Sequence, residues 1–88
     1  MARYRVELTR AAQRDLTALP KRDLRRIDVR LLALAEDPYP PGVEKLSGSE
    51  GLFRVRVGDY RILYQVEDDR LVVLVVRIRH RREAYRGL

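Results

Sequence analysis

The sequence predicts a small α+β domain of order β-α-α-β-β-β, with two helices packed on one face of an antiparallel sheet. Two observations carry that reading. Between residues 10 and 34, apolar side chains recur at helical spacing. Between residues 52 and 78, three apolar, β-rich runs of strand length are separated by two short turns. Consecutive strands joined by tight turns pair with one another, so the second half folds as a meander. Residues 1–88 together read as one domain with one modest core.

In chain order, residues 3–8 alternate, with Tyr4, Val6 and Leu8 on one side and Arg3, Arg5 and Glu7 on the other, the pattern of a half-buried strand. Thr9 suits the N-cap of a helix whose apolar positions Ala12, Leu16 and Leu19 share one face. Pro20 ends that pattern and suits the start of a second helix. There Leu24, Ile27, Leu31 and Leu34 form a stripe, and Asp23–Arg26 and Arg25–Asp28 are spaced as i,i+3 ion pairs. Pro38, Pro40 and Pro41 stiffen the loop that follows. Glu44-Lys45-Leu46 reads as a brief strand and residues 47–51 as a turn. Residues 52–57 put Phe53, Val55 and Val57 on one face and Leu52, Arg54 and Arg56 on the other. Gly58-Asp59 reads as a tight hairpin turn, residues 60–66 as the returning strand, residues 67–70 as a turn and residues 71–78 as the last strand. The last run is apolar and mostly β-branched from Leu71 to Val76, as in a strand buried on both faces. The expected core is Leu16, Leu19, Leu24, Ile27, Leu31, Phe53, Val55, Ile62, Tyr64, Val73 and Val75, with Tyr60 and Tyr64 in packing roles.

Composition narrows the function classes. With 45% hydrophobic and 36% charged residues the chain is globular and not disordered. It has no cysteine and one histidine, which argues against disulfides, zinc sites and any metal or other cofactor. No apolar run approaches the roughly 20 residues of a membrane span, and strand-like sequence starts at once where a signal peptide would have its apolar region, so the expected location is cytoplasmic with no membrane partner. The net charge is +6, and seventeen of the nineteen basic residues are arginines. Residues 1–50 carry a net +2 and residues 51–88 a net +4, so the excess gathers in the second half. Arginine grips phosphate with two parallel donors and stacks on bases, which fits nucleic acid.

Three basic clusters fall on adjacent strands: Arg54 with Arg56, then Arg61, then Arg77, Arg79, Arg81 and Arg82 around His80. Five arginines, His80 and Tyr85 lie within residues 77–86, at the exit of the most apolar strand. Arg54 and Arg56 share a face, as do Arg77 and Arg79. Whether both pairs share the same face depends on the register, because a single bulge reverses the parity of a strand. If they do, the open face of the sheet is an arginine surface able to hold a phosphodiester and to stabilise charge that develops on it.

The order of elements, the segment Gly58-Asp59-Tyr60-Arg61-Ile62-Leu63-Tyr64-Gln65-Val66, the Asp68-Asp69 turn and the ending Arg79-His80-Arg81-Arg82-Glu83-Ala84-Tyr85 resemble the RelE/ParE toxin superfamily, on its RelE side. The resemblance spans residues 3–86. It implies a toxin of a type II toxin–antitoxin pair, an endoribonuclease that cuts mRNA in the ribosomal A site without metal, by attack of a 2′-hydroxyl on the adjacent phosphate. By position it implies that Arg61 grips the scissile phosphate, that Arg79 or Arg81 is the arginine of the C-terminal motif, and that Tyr85 stacks on a base or moves a proton. Arg54 and Arg56 stand where RelE carries lysines. Arginine stays protonated, so these two bind and stabilise but do not act as bases. The candidate bases are Tyr85, His80 and Glu44, the last near a position where a related branch has a carboxylate. Arg54, Arg56, Arg77 and Arg82 are the expected RNA contacts.

The partners implied are a cognate antitoxin, in a toxin–antitoxin hetero-oligomer, and the ribosome with its mRNA. The alternative is a ParE-like protein that binds and inhibits DNA gyrase without cutting RNA. It shares the fold and needs no cluster of Arg61, Arg79, His80, Arg81 and Tyr85.

Overall fold

The computed structural model describes residues 3–46 and 51–82. Its elements are β1 (Arg5–Leu8), α1 (Arg10–Thr17), α2 (Lys21–Glu36), β2 (Glu44–Lys45), β3 (Leu52–Val57), β4 (Tyr60–Glu67) and β5 (Val72–His80). The α+β class and the order of elements are as expected. The sheet runs β1-β5-β4-β3-β2. It is mixed, where a wholly antiparallel sheet was expected, because β1 pairs in parallel with β5, Arg5 opposite Val72 through Leu8 opposite Val75. The helical hairpin carries the chain from one edge of the sheet to the other, and the β3-β4-β5 meander returns it to β1. β5 thus lies between β1 and β4, and Val72, Val73 and Val75 are all fully buried. Its β-branched run meets that demand for apolar side chains on both faces.

Local signals explain the helices. The Ala12 N–H donates to Thr9 Oγ1 (3.1 Å), so Thr9 caps α1, and Thr9 Oγ1 donates to the Val76 carbonyl (2.8 Å). On α2 the stripe turns inward: Ile27, Leu31 and Leu34 are buried with Val55, Ile62, Tyr64, Val73, Val75 and Ile78. Leu16, Leu19 and Phe53 pack at the margin of this core, and Leu24 is half-buried. The Tyr64 hydroxyl donates to the Pro38 carbonyl (2.8 Å), so a buried polar group is satisfied by the proline-rich loop. Neither expected ion pair on α2 forms. Asp23 instead accepts from the Tyr60 hydroxyl (3.1 Å), and the Arg26 guanidinium leaves its own helix for the β3–β4 turn.

The far end of the sheet is clasped by one carboxylate. Asp68 accepts from the Tyr4 hydroxyl (2.6 Å) and the Tyr39 hydroxyl (2.8 Å), joining the start of the chain, the proline loop and the β4–β5 turn. Burial and the bond to Asp68 push the Tyr39 hydroxyl up to about 12. Among the described residues no helix is long and apolar enough to cross a membrane.

Candidate functional site

The position of the arginines turns on one residue of β5. Leu63 pairs with Arg77, but the next residue of β4, Tyr64, pairs with Val75. Val76 is therefore an extra residue, a β-bulge that shifts parity. Before it the odd positions Val73 and Val75 face the helices; after it Ile78 does. Arg77 and Arg79 consequently face the open side, together with Arg54 and Arg56 of β3 and Arg61 of β4. The register sets Arg56 opposite Arg61 and Arg61 opposite Arg79, a row of three arginines across three strands. Like charges directly opposite across a ladder disfavour one another, and a polyanion seated on the row offsets that repulsion. Arg61, in the middle, is only 6% exposed, so its guanidinium is held by its surroundings.

At the hairpin end this row opens into a cavity of about 330 Å³, lined by Arg56, Gly58, Asp59, Tyr60, Arg61 and Arg81. The Arg81 N–H donates to the Asp59 carbonyl (2.6 Å), which ties the chain leaving β5 to the turn and sets Arg81 beside Arg61. Gly58 takes φ +59° at the first turn position, where a type II′ hairpin needs glycine. Its bare face is also occupied, since a Cβ there would lie 2.6 Å from Arg26 Nη2. Sequence reasoning paired Arg26 with Asp23 along α2 and gave Asp59 a turn role only; Asp59 lines the cavity and Arg26 packs against the turn at Gly58.

The other sequence-predicted residues divide. Arg79 belongs to the row but does not line this cavity. His80 lies on the helix-side face, its ring edge-on to Tyr60 at 5.2 Å between centroids. The Arg82 N–H donates to His80 Nδ1 (3.2 Å). His80, Arg81, Arg82 and Asp59 line a neighbouring concavity of about 580 Å³. Glu44 pairs with Arg54 across β2 and β3 (2.9 Å). The bond and charge of that guanidinium, with the charges of Arg56 and Arg61, hold its carboxyl below the usual range. Tyr85 lies outside the described residues.

Arg77 is claimed by structure. Its Nε and Nη2 donate to Asp15 Oδ2 (2.8 Å) and Oδ1 (3.1 Å), and Asp15 Oδ2 also accepts the Ile78 N–H (2.9 Å). Asp15 thereby serves the edge of β5 that β1 is too short to cover. Burial pushes its carboxyl up, but the bonds from Arg77 and Ile78 and the charges of Arg77 and Arg79 outweigh this and hold it below the ordinary aspartate value. Asp15→Ala strips the Ile78 N–H and Arg77 of an acceptor and is expected to cost about 1–3 kcal/mol at neutral pH. Because the folded-state value is depressed, that stability is present above the unfolded aspartate value, about 3.9, and is lost as pH falls through the folded one. Urea melts of the two proteins should therefore converge under acid; a gap that widens there would contradict the linkage.

The arrangement gathers Arg56, Arg61 and Arg81 around one concavity, with Arg61 held by burial, which suits an oxyanion or phosphate. Comparison with known proteins places the chain among toxins of toxin–antitoxin systems. Residues 6–85 match a family model described as the ParE toxin of the type II toxin–antitoxin system parDE. The chain is 34% identical to Toxin RelG of Mycobacterium tuberculosis, over 94% of this chain and 97% of that one. It is 32% identical to Toxin RelE of the same organism, over 94% and 87%. Among solved structures, the RelBE2 toxin–antitoxin complex of M. tuberculosis superposes with a TM-score of 0.81 at 34% identity, covering 92% of this chain and 94% of that one. The archaeal RelE–RelB complex of Pyrococcus horikoshii gives 0.79 at 32% identity, covering 92% and 97%. The model carries the ParE name and these relatives the RelE or RelG name. Likeness to individual chains over nearly their whole length discriminates branches better than a model that spans a family.

Proposed function

The chain belongs to the ParE toxin family of type II toxin–antitoxin systems, and from that membership we propose that it is a RelE-like toxin that cuts mRNA on the ribosome and is masked by a cognate antitoxin. The observation that supports this reading most is the three-arginine row, with Arg61 nearly buried, running into a cavity that Arg81 completes. Arginine donors gathered at one point, with Arg61 held by burial, suit a reaction in which charge grows on a phosphate.

In the proposed step the 2′-oxygen attacks the neighbouring phosphorus. The O2′–P bond forms and the P–O5′ bond breaks, leaving a 2′,3′-cyclic phosphate and a 5′-hydroxyl. The 2′-hydroxyl proton passes to a base, and the departing 5′-oxygen takes up a proton. Arg61 and Arg81 receive the non-bridging oxygens, and Arg56 and Arg79 extend the positive surface along the RNA. Arg54, held by Glu44, and Arg77, held by Asp15, act through the fold first. Of the three candidate bases, Glu44 is engaged by Arg54 and its basicity is lowered, and His80 faces the helix side. That leaves Tyr85, a hydroxyl able to take part in proton transfer. Tyr85→Phe is therefore expected to slow single-turnover cleavage by about a hundredfold or more, while His80→Gln leaves the pH–rate profile unchanged. The reverse pattern, with His80→Gln flattening the low-pH limb, would transfer the base role to His80.

A further inference from the structure

Asp23 and Arg26 are spaced to pair along α2, yet both reach away from it to the β3–β4 hairpin. The Tyr60 hydroxyl donates to Asp23 Oδ2 (3.1 Å). The Arg26 guanidinium lies over Gly58, where a Cβ would stand 2.6 Å from Nη2 and 3.0 Å from both Cζ and Nη1. The fork of the guanidinium therefore covers the bare face of the glycine. No ion pair among the described residues draws Arg26 elsewhere. One helical turn apart on α2, the two side chains grip the hairpin on either side of Asp59.

Gly58 and Asp59 are both exposed, so the turn has no core packing of its own. It nevertheless carries a tether of the site. The β4–β5 ladder ends where Tyr60 pairs with His80. The bond from the Arg81 N–H to the Asp59 carbonyl (2.6 Å) continues that ladder into the turn. Arg81 lines the arginine cavity with Gly58 and Asp59 because this bond holds its backbone beside them.

We propose that Arg26 is a positioning residue for cleavage: lying against Gly58, it fixes the β3–β4 turn and, through the Asp59 carbonyl, sets where Arg81 meets the phosphate. The role in cleavage rests on the ribonuclease reading above, whereas the contact stands without it. Arg26 acts from outside the site. It lines a separate groove between α2 and β3, with Val29 and Val57, and does not line the cavity. Gly58 serves twice, since φ +59° shapes the turn and the missing Cβ admits the guanidinium. A flat guanidinium fits that face where the compact ammonium of lysine does not. A shift of about 1 Å at a reacting group is enough to slow chemistry about a hundredfold, so a loosened turn is felt at the phosphate while the core stays intact.

The test compares the wild-type chain with Arg26→Ala, Arg26→Lys, Gly58→Asn and the double variant Arg26→Ala with Gly58→Asn. Asparagine tolerates a positive φ, so Gly58→Asn chiefly displaces the guanidinium. Arg26 is exposed, and its truncation should leave the urea midpoint near that of the wild type. In Arg26→Ala the Arg81 amide should exchange with solvent about tenfold faster, while core amides keep their protection. Single-turnover cleavage on saturating programmed ribosomes should slow about tenfold, with the half-saturating ribosome concentration unchanged. Arg26→Lys keeps the charge and should stay as slow as Arg26→Ala. Gly58→Asn should reproduce both changes, and the double variant should be no slower than either single one, because each removes the same contact. Unchanged Arg81 exchange in Arg26→Ala, additive losses in the double variant, or full recovery in Arg26→Lys would overturn the positioning role. Full speed at saturation, with weaker oligouridylate binding and a shallower salt dependence, would make Arg26 an RNA contact instead. A wild type that cuts no ribosomal mRNA would sink the ribonuclease reading alone, and the exchange rates would still decide the tether.

Discussion

Arg61→Ala is expected to lower single-turnover cleavage of mRNA on programmed ribosomes by at least about a hundredfold, the scale of losing one preset donor to transition-state charge. Arg61 sits at the centre of the row, opposite both Arg56 and Arg79, and reaches the cavity that Arg81 lines. Its burial fixes the guanidinium before substrate arrives, so little reorganisation accompanies the reaction. Because the side chain is buried, folding of the variant is checked first by its melting transition. Arg61→Lys separates charge from geometry: it keeps the positive charge but loses the two-pronged donor set, and should recover only part of the rate. Both variants should still bind antitoxin. A rate for Arg61→Ala within a few-fold of wild type would remove Arg61 from the site.

The second large effect is on stability. Leu31→Ala is expected to cost about 2–5 kcal/mol, a large share of the roughly 5–15 kcal/mol that holds a domain folded. Leu31 is 5% exposed in the cluster of Ile27, Leu34, Ile62 and Val73 where α2 lies on the sheet. Close packing leaves a cavity where the missing atoms were. Denaturant unfolding measures the loss, with the slope expected to stay constant. A loss below about 1 kcal/mol would mean the helix–sheet contact is not where stability is concentrated.

The parts of the fold that depend on local periodicity were legible in the sequence. The stripe Ile27–Leu31–Leu34, the Thr9 cap and the Gly58-Asp59 hairpin each follow from neighbours a few residues apart. Three features depend on distant partners and were not. The parallel pairing of β1 with β5 joins residues nearly seventy apart in the chain. Arg77 looked like an RNA contact because its partner Asp15 lies sixty-two residues away. The bulge at Val76 was named as the open question but was masked by an unbroken apolar run. The alternation Arg77-Ile78-Arg79 contains the clue, since a buried Ile78 and buried Val73 and Val75 require one extra residue between them. For the site, Arg61 and Arg81 come together as their sequence positions implied, while His80 turns to the helix side because parity alternates along β5.

The most direct test of the central claim is primer extension on mRNA from ribosomes programmed with a defined A-site codon, run with the purified chain, alongside a gyrase supercoiling assay. A RelE-like toxin should produce a new 5′-hydroxyl end within the A-site codon, leave the same RNA intact in the absence of ribosomes, and leave supercoiling unchanged. Intact ribosomal mRNA together with arrested gyrase would contradict the ribonuclease account and establish a gyrase poison on the same fold.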